Sequence, residues 1–228
     1  MKKHAYLITS LSLLLVFIIF TIIFKTVDVQ YTFGNYYLGL HEMNYGFGNW
    51  ATQFGKYESM AKLSDVLLYV SFGYVAVFAI VGVYQLIKNK SFLKVNKNLY
   101  ALLGAYVAIV VIYFIFEIAK LNYSPDTSNG LKASYPSSHV FIGCSFYLIN
   151  TFTAIKMLHP EKKWVEVISY GGALVICVWL TFTRALSLKH WISDIIASVI
   201  LVSAVYFAYV YVFKRLFEKE VVKEIEQE

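Results

Sequence analysis

From Ala5 to Phe24 the chain carries no charged side chain, for about the 20 residues that cross a hydrocarbon layer of about 30 Å. Such a run has few structural options. With no water to satisfy them, its backbone N–H and C=O groups must pair inside the segment, which makes it a helix. Two further runs of this kind, Val66 to Ile87 and Leu99 to Phe116, are followed by three shorter ones, Val140 to Ile155, Val167 to Thr183 and Ile195 to Phe213. The shorter three reach spanning length by taking His139, Trp164, Glu166, His190, Trp191 and Asp194 as end residues. The pattern predicts an all-α, polytopic membrane protein with six transmembrane helices in one bundle. Only 15% of the 228 residues are charged and 59% are hydrophobic, outside the usual range of soluble domains.

No internal repeat or low-complexity linker divides the chain, so a single domain over 1–228 is expected, with its core at about 5–213 and a tail at 214–228. The first run follows Lys2 and Lys3 but ends in "TIIFKTVDVQ", without a small-x-small cleavage pattern, and reads as a retained helix. Cys144 and Cys177 both fall within apolar runs and read as small buried hydrophobes. The net charge of +6 does not indicate nucleic acid, because no basic cluster interleaves with aromatics. Counting Lys and Arg at the run ends explains it better. Six crossings put 13 of the 20 basic residues on one side, with both termini, "KNKSFLKVNKN" and "HPEKKW". The positive-inside rule makes that side cytoplasmic. His139 and His190 then face outward in a cell membrane. The outward segment from Lys25 to Asp65, rich in glycine and aromatics, is expected to lie in the interfacial belt, with a short amphipathic helix or a lipid entrance.

Ionisable groups beside membrane spans are costly, and here they gather on one face. In "TRALSLKHWISD", Arg184 ends the fifth run, while His190 and Asp194 begin the sixth four residues apart, on one helical stripe. A carboxylate accepting the Nδ1 proton of His190 fixes the tautomer and leaves the Nε2 lone pair free to attack an electrophile. The planar fork of Arg184, brought back by a turn at "ALSLK", matches two phosphate oxygens. His139 comes from the neighbouring outward loop and is placed to protonate a leaving oxygen. Ser137 and Ser138 open the fourth helix, where hydroxyls, amides and the helix dipole favour an anion. Each residue taken singly has a plainer role as a cap, an interfacial side chain or a helix-stabilising pair. Their joint placement points to phosphate chemistry.

"YPSSH" together with "TRALSLKHWISD" resembles the second and third signature motifs of the type 2 phosphatidic acid phosphatase family, integral-membrane lipid phosphate phosphatases. The resemblance implies a six-helix bundle, and it implies His190 as a nucleophile forming a phosphohistidine, Asp194 as its orienter, His139 as the general acid and Arg184 as a phosphate ligand. Ser137 matches the family's serine, and Ser138 stands where glycine is usual. The first family motif, Lys-x6-Arg-Pro, is degenerate in "EIAKLNYSPDTSNGLKASYPSSH". With Pro125 as its proline, Ser124 replaces the arginine and Glu117 the lysine; with Lys120 as its lysine, Thr127 and Ser128 replace Arg-Pro. Lys120 or Lys132 is then the candidate for the missing phosphate-binding charge.

The expected activity is a metal- and cofactor-independent phosphatase acting on a lipid phosphate or diphosphate of the polyprenyl diphosphate, phosphatidylglycerophosphate or phosphatidic acid class. One alternative is a catalytically weakened relative that only binds phospholipid or a phosphorylated carrier. Another is an unrelated small transporter, but its ionisable residues should line a path through the bilayer, and these do not. Nothing in the sequence addresses the oligomeric state.

Overall fold

In a computed structural model, residues 2–32, 34–128 and 130–225 are described. The expected six spans are all present. They are α1 (Lys2–Thr26), α3 (Tyr57–Asn89), α4 (Lys97–Ala119), α5 (Ser138–Leu158), α6 (Lys163–Leu186) and α7 (Ile192–Ile225). Between α1 and α3 lie a short antiparallel hairpin, β1 (Gln30–Tyr31) paired with β2 (Tyr37–Leu38), and the helix α2 (His41–Thr52). The aromatic-rich segment therefore does contain a short helix. The tail continues α7 as far as Ile225, and residues 226–228 lie outside the described part.

Helix ends follow local chemistry. Asn96 caps α4 by accepting the Asn98 N–H at 2.9 Å. α5 stops at His159, whose φ of 42° is left-handed, just before Pro160, which cannot continue a helix. α3 begins at Tyr57, nine residues before the apolar run that announced it, so Ser64 and Asp65 lie within the helix and not in the preceding loop.

α5 is the central span and the most deeply buried. It packs against α3, α4, α6 and α7, while α1 packs along α7. Gly143 permits the close approach of α6, since a Cβ there would meet Leu180 Cδ2 at 2.5 Å. Polar side chains tie the spans together. The Tyr106 hydroxyl donates to Asn150 Oδ1 at 2.5 Å, Thr153 and Tyr209 share a 2.7 Å hydrogen bond, and Ser10 donates to the Ala204 carbonyl at 2.9 Å. Bonds of this kind average about 0.6 kcal/mol within a membrane, so packing supplies most of the cohesion. Cys144 and Cys177 are free and buried. Because the spans alternate in direction, the α1–α3, α4–α5 and α6–α7 connections share one end of the bundle.

Candidate active site

His190 lies two residues before α7 begins, in the turn after α6. The expected helical stripe with Asp194 therefore does not form. Its Nδ1 is 3.0 Å from the Ser134 carbonyl, while the Asp194 carboxylate is 3.7 Å away, beyond hydrogen-bonding distance. A carbonyl can only accept, so Nδ1 carries the proton. Arg184 NH2 donates to Nε2 at 3.2 Å, and a guanidinium can only donate, which leaves Nε2 with the lone pair. The tautomer is the expected one, held by a backbone carbonyl in place of the carboxylate. Burial lowers the His190 pKa below the ordinary imidazole value, and the charge of Arg184 adds to this against the opposing pull of Asp194.

Asp194 is fully buried and works as a clasp. Its Oδ2 accepts the Trp191 N–H at 3.1 Å, the reach-back of a capping box, and its Oδ1 accepts from Asn122 Nδ2 at 2.9 Å. Its carbonyl accepts the Ser137 N–H at 3.2 Å, so that amide is not free for an anion as expected. The Ser137 hydroxyl is buried and has no partner among the described residues. Ser138 is the first residue of α5 and borders a cavity of about 20 Å³ with Glu117, Ser134 and His190. This cavity has room for about one water.

Arg184 sits in the last turn of α6, and the turn at Leu188, with φ 52°, returns the chain so that the guanidinium meets His190. Its NH1 faces Ser64 Oγ at 3.3 Å and Asp65 Oδ1 at 3.5 Å, and its Nε has no partner among the described residues. His139 is the second residue of α5, not part of the loop. Its Nε2 is 2.9 Å from Asp65 Oδ1, and its Nδ1 is buried, with no partner among the described residues. His139, Arg184, His190 and Asp194 are thus brought together. Asp65, Ser64, Ser134 and Asn122 join them without having been expected.

Lys120 and Lys132 are both exposed, and neither has a polar side-chain contact with His139, Arg184 or His190 among the described residues. The segment where the first motif would stand forms instead a small hairpin with an isolated bridge between Tyr123 and Ala133. Its rungs run from the Ser134 N–H to the Asn122 carbonyl and from the Ser124 N–H to the Lys132 carbonyl, each 3.0 Å. Ser124 is buried, donating to the Lys189 carbonyl at 2.9 Å. Lys189 in turn pairs with Asp126 at 2.6 Å, which holds that carboxyl well below the usual range. The Trp191 indole N–H is shared between the Tyr36 hydroxyl and the Tyr123 carbonyl at 3.1 and 3.0 Å. Burial pushes the Tyr36 pKa up to about 12, so its O–H remains a donor to the Ser124 carbonyl.

Beside the site lies an apolar groove of about 670 Å³ between α5, α6 and α7. Phe47 and Trp50 of α2 line it, so the α1–α3 segment borders this groove. Its wall includes Ala185, Leu186 and Ile192, chain neighbours of Arg184 and His190. A second groove, between α4 and α7, runs to Lys97 and Leu216 at the opposite end. Among the described residues no three His, Cys, Asp or Glu side chains gather as metal ligands.

No protein-family model and no curated protein sequence matches the chain. Its structure is similar to the crystal structure of the first transmembrane PAP2-type phosphatidylglycerolphosphate phosphatase from Bacillus subtilis. The TM-score is 0.67 at 15% identity, over 91% of this chain and 96% of that one. The six-span bundle is therefore a membrane fold of the transmembrane PAP2 type.

Proposed function

We propose that this chain is a membrane lipid phosphatase that works through a phosphohistidine on His190. The observation that carries the reading is the His190 imidazole, with Nδ1 protonated against a carbonyl and its Nε2 lone pair facing Arg184. Nε2 attacks phosphorus as the ester bond opposite breaks, and His139 protonates the departing oxygen. Water then attacks the phosphohistidine, giving a proton to His139 and returning His190 to its neutral form. Arg184 leaves its hydrogen bond to Nε2 and, with the Ser137 hydroxyl and the free amides at the start of α5, takes the equatorial oxygens.

Support also comes from the buried polar atoms without partners, Ser137 Oγ, His139 Nδ1 and Arg184 Nε, gathered at one end of the bundle. Buried polar groups are ordinarily satisfied, and a phosphoryl group supplies what these lack. The apolar groove beside the site suits a substrate with a long hydrocarbon tail. Polyprenyl diphosphate, phosphatidylglycerophosphate and phosphatidic acid are the substrate classes, with no metal required. The lysine distribution supports a site on the outer face, with the termini in the cytoplasm.

A second reading, a binder of phospholipid or a phosphorylated carrier, is favoured by the charge inventory. Arg184 is the one basic side chain with polar contacts to the site histidines among the described residues, and Glu117 borders the cavity beside His190. Phosphate release from a panel of lipid phosphates in detergent, with excess chelator, separates the two. The phosphatase reading expects turnover that His190→Ala abolishes. Tight lipid binding without release from any member would favour the binder.

A further inference from the structure

Asp65 is a carboxylate at the site that the mechanism above does not use. It lies in the third turn of α3, and its side chain is 43% exposed. One oxygen, Oδ1, reaches both His139 Nε2 at 2.9 Å and Arg184 NH1 at 3.5 Å. An ion-paired surface carboxylate needs no further explanation. This one is different in its partner: it touches the histidine assigned as general acid, at the mouth of a site that must bind an anion.

Building on the phosphatase reading, we infer that Asp65 is the positioning residue that turns His139 for proton donation and favours its charged form. A carboxylate can only accept, so its contact with Nε2 places a hydrogen on that nitrogen. The transferable proton of the imidazolium is then the one on Nδ1, the nitrogen left buried and without an acceptor. A substrate ester oxygen supplies that acceptor. As the P–O bond breaks, its electron pair goes to the oxygen, the Nδ1 proton follows, and His139 becomes a neutral imidazole still hydrogen-bonded through Nε2. Asp65 stays a carboxylate throughout. Its charge is needed because the same oxygen also reaches Arg184, and a neighbouring cation opposes protonation. The arrangement repeats for His139 what Ser134 does for His190: an acceptor on one ring nitrogen decides what the other can do.

The assignment separates from a merely structural role by leaving-group dependence. An alkyl phosphate must have its departing oxygen protonated, whereas a nitrophenyl phosphate leaves as a stable phenolate and needs little help. Asp65→Asn should lower kcat/KM, which reports phosphorylation of His190 and not the hydrolysis step shared by all substrates, about 10- to 100-fold on a long-chain alkyl phosphate and less than about threefold on nitrophenyl phosphate. Asp65→Glu, whose longer arm displaces the ring, should show the same selectivity and carries the test if the Asn variant cannot be purified. Equal losses on both substrates, or no loss on either, would overturn the inference. Wild-type protein inert on both substrates would overturn the phosphatase reading itself, a result distinct from either.

Discussion

His190 is held by two neighbours whose hydrogen-bonding roles cannot change, a carbonyl on Nδ1 and a guanidinium on Nε2. Its burial keeps the neutral, nucleophilic form present at lower pH than for a free imidazole near 6.5. The acid limb of kcat/KM, where this nucleophile is lost to protonation, should therefore fall below pH ~6.5. A limb at or above that value would show His190 to be as easily protonated as a solvated histidine. The first-motif region permits a second test. Ser124 occupies the arginine position in one alignment, which makes Ser124→Arg look like a restoration, but its hydroxyl binds the Lys189 carbonyl in a buried place. Forcing a guanidinium into that space breaks the tie beside His190, and overpacking alone typically costs about 1–3 kcal/mol. Activity should fall at least about tenfold, while Lys120→Ala and Lys132→Ala should change it less than about threefold, as exposed substitutions usually do. Gain of activity in Ser124→Arg would mean that the hairpin yields to a true phosphate ligand.

The 122–134 hairpin is the element that joins the site together, since Asn122 holds Asp194 and the Ser134 carbonyl holds His190. Asn122→Ala leaves Oδ1 of a fully buried carboxylate without that donor, a loss of about 1–3 kcal/mol or more for a charged group. Thermal unfolding in detergent should move down accordingly; an unchanged midpoint would mean the hairpin bears no load. The Asp126–Lys189 pair latches the same hairpin. Its folded carboxyl pKa lies below the unfolded value of about 3.9, so its stabilisation is complete above that value and is lost as the pH falls through the folded one. The midpoint should drop on acidification below pH ~4, and Asp126→Asn should flatten part of that drop. The six spans and the four residues His139, Arg184, His190 and Asp194 were legible in the sequence because uncharged length and ionisable side chains beside it are local signals. The hairpin was not, since Asn122 and Ser134 act through long-range contacts and a carbonyl, which any residue carries. Asp65 was half-visible: it stands directly before an apolar run, as His139 does, but the eight helical residues before it are too polar to mark the helix as already begun. The spacing of His190 and Asp194 signals proximity, which a capping turn supplies in place of a helical stripe, but the expected hydrogen bond from Nδ1 goes to the Ser134 carbonyl.

Across the whole molecule, alternation of the spans collects three connections at one end and so assembles a site from α3, α5, α6 and the turn before α7. Orientation in the bilayer is open to a direct check. Leu131 lies half-exposed on the site-face hairpin and Leu93 lies 92% exposed between α3 and α4 at the other end. If the lysine-rich end is cytoplasmic, Leu131→Cys should react with an impermeant thiol reagent in intact cells and Leu93→Cys should not; the reverse pattern would put the site inside. The chemistry itself is tested by trapping. A lipid phosphate carrying radioactive phosphorus, mixed with wild-type protein and quenched within one turnover, should leave label bound to the chain through an acid-labile, alkali-stable linkage at His190, with none on His190→Ala. Brisk phosphate release from wild type with no such adduct, or an adduct that persists in His190→Ala, would contradict a phosphohistidine at this site.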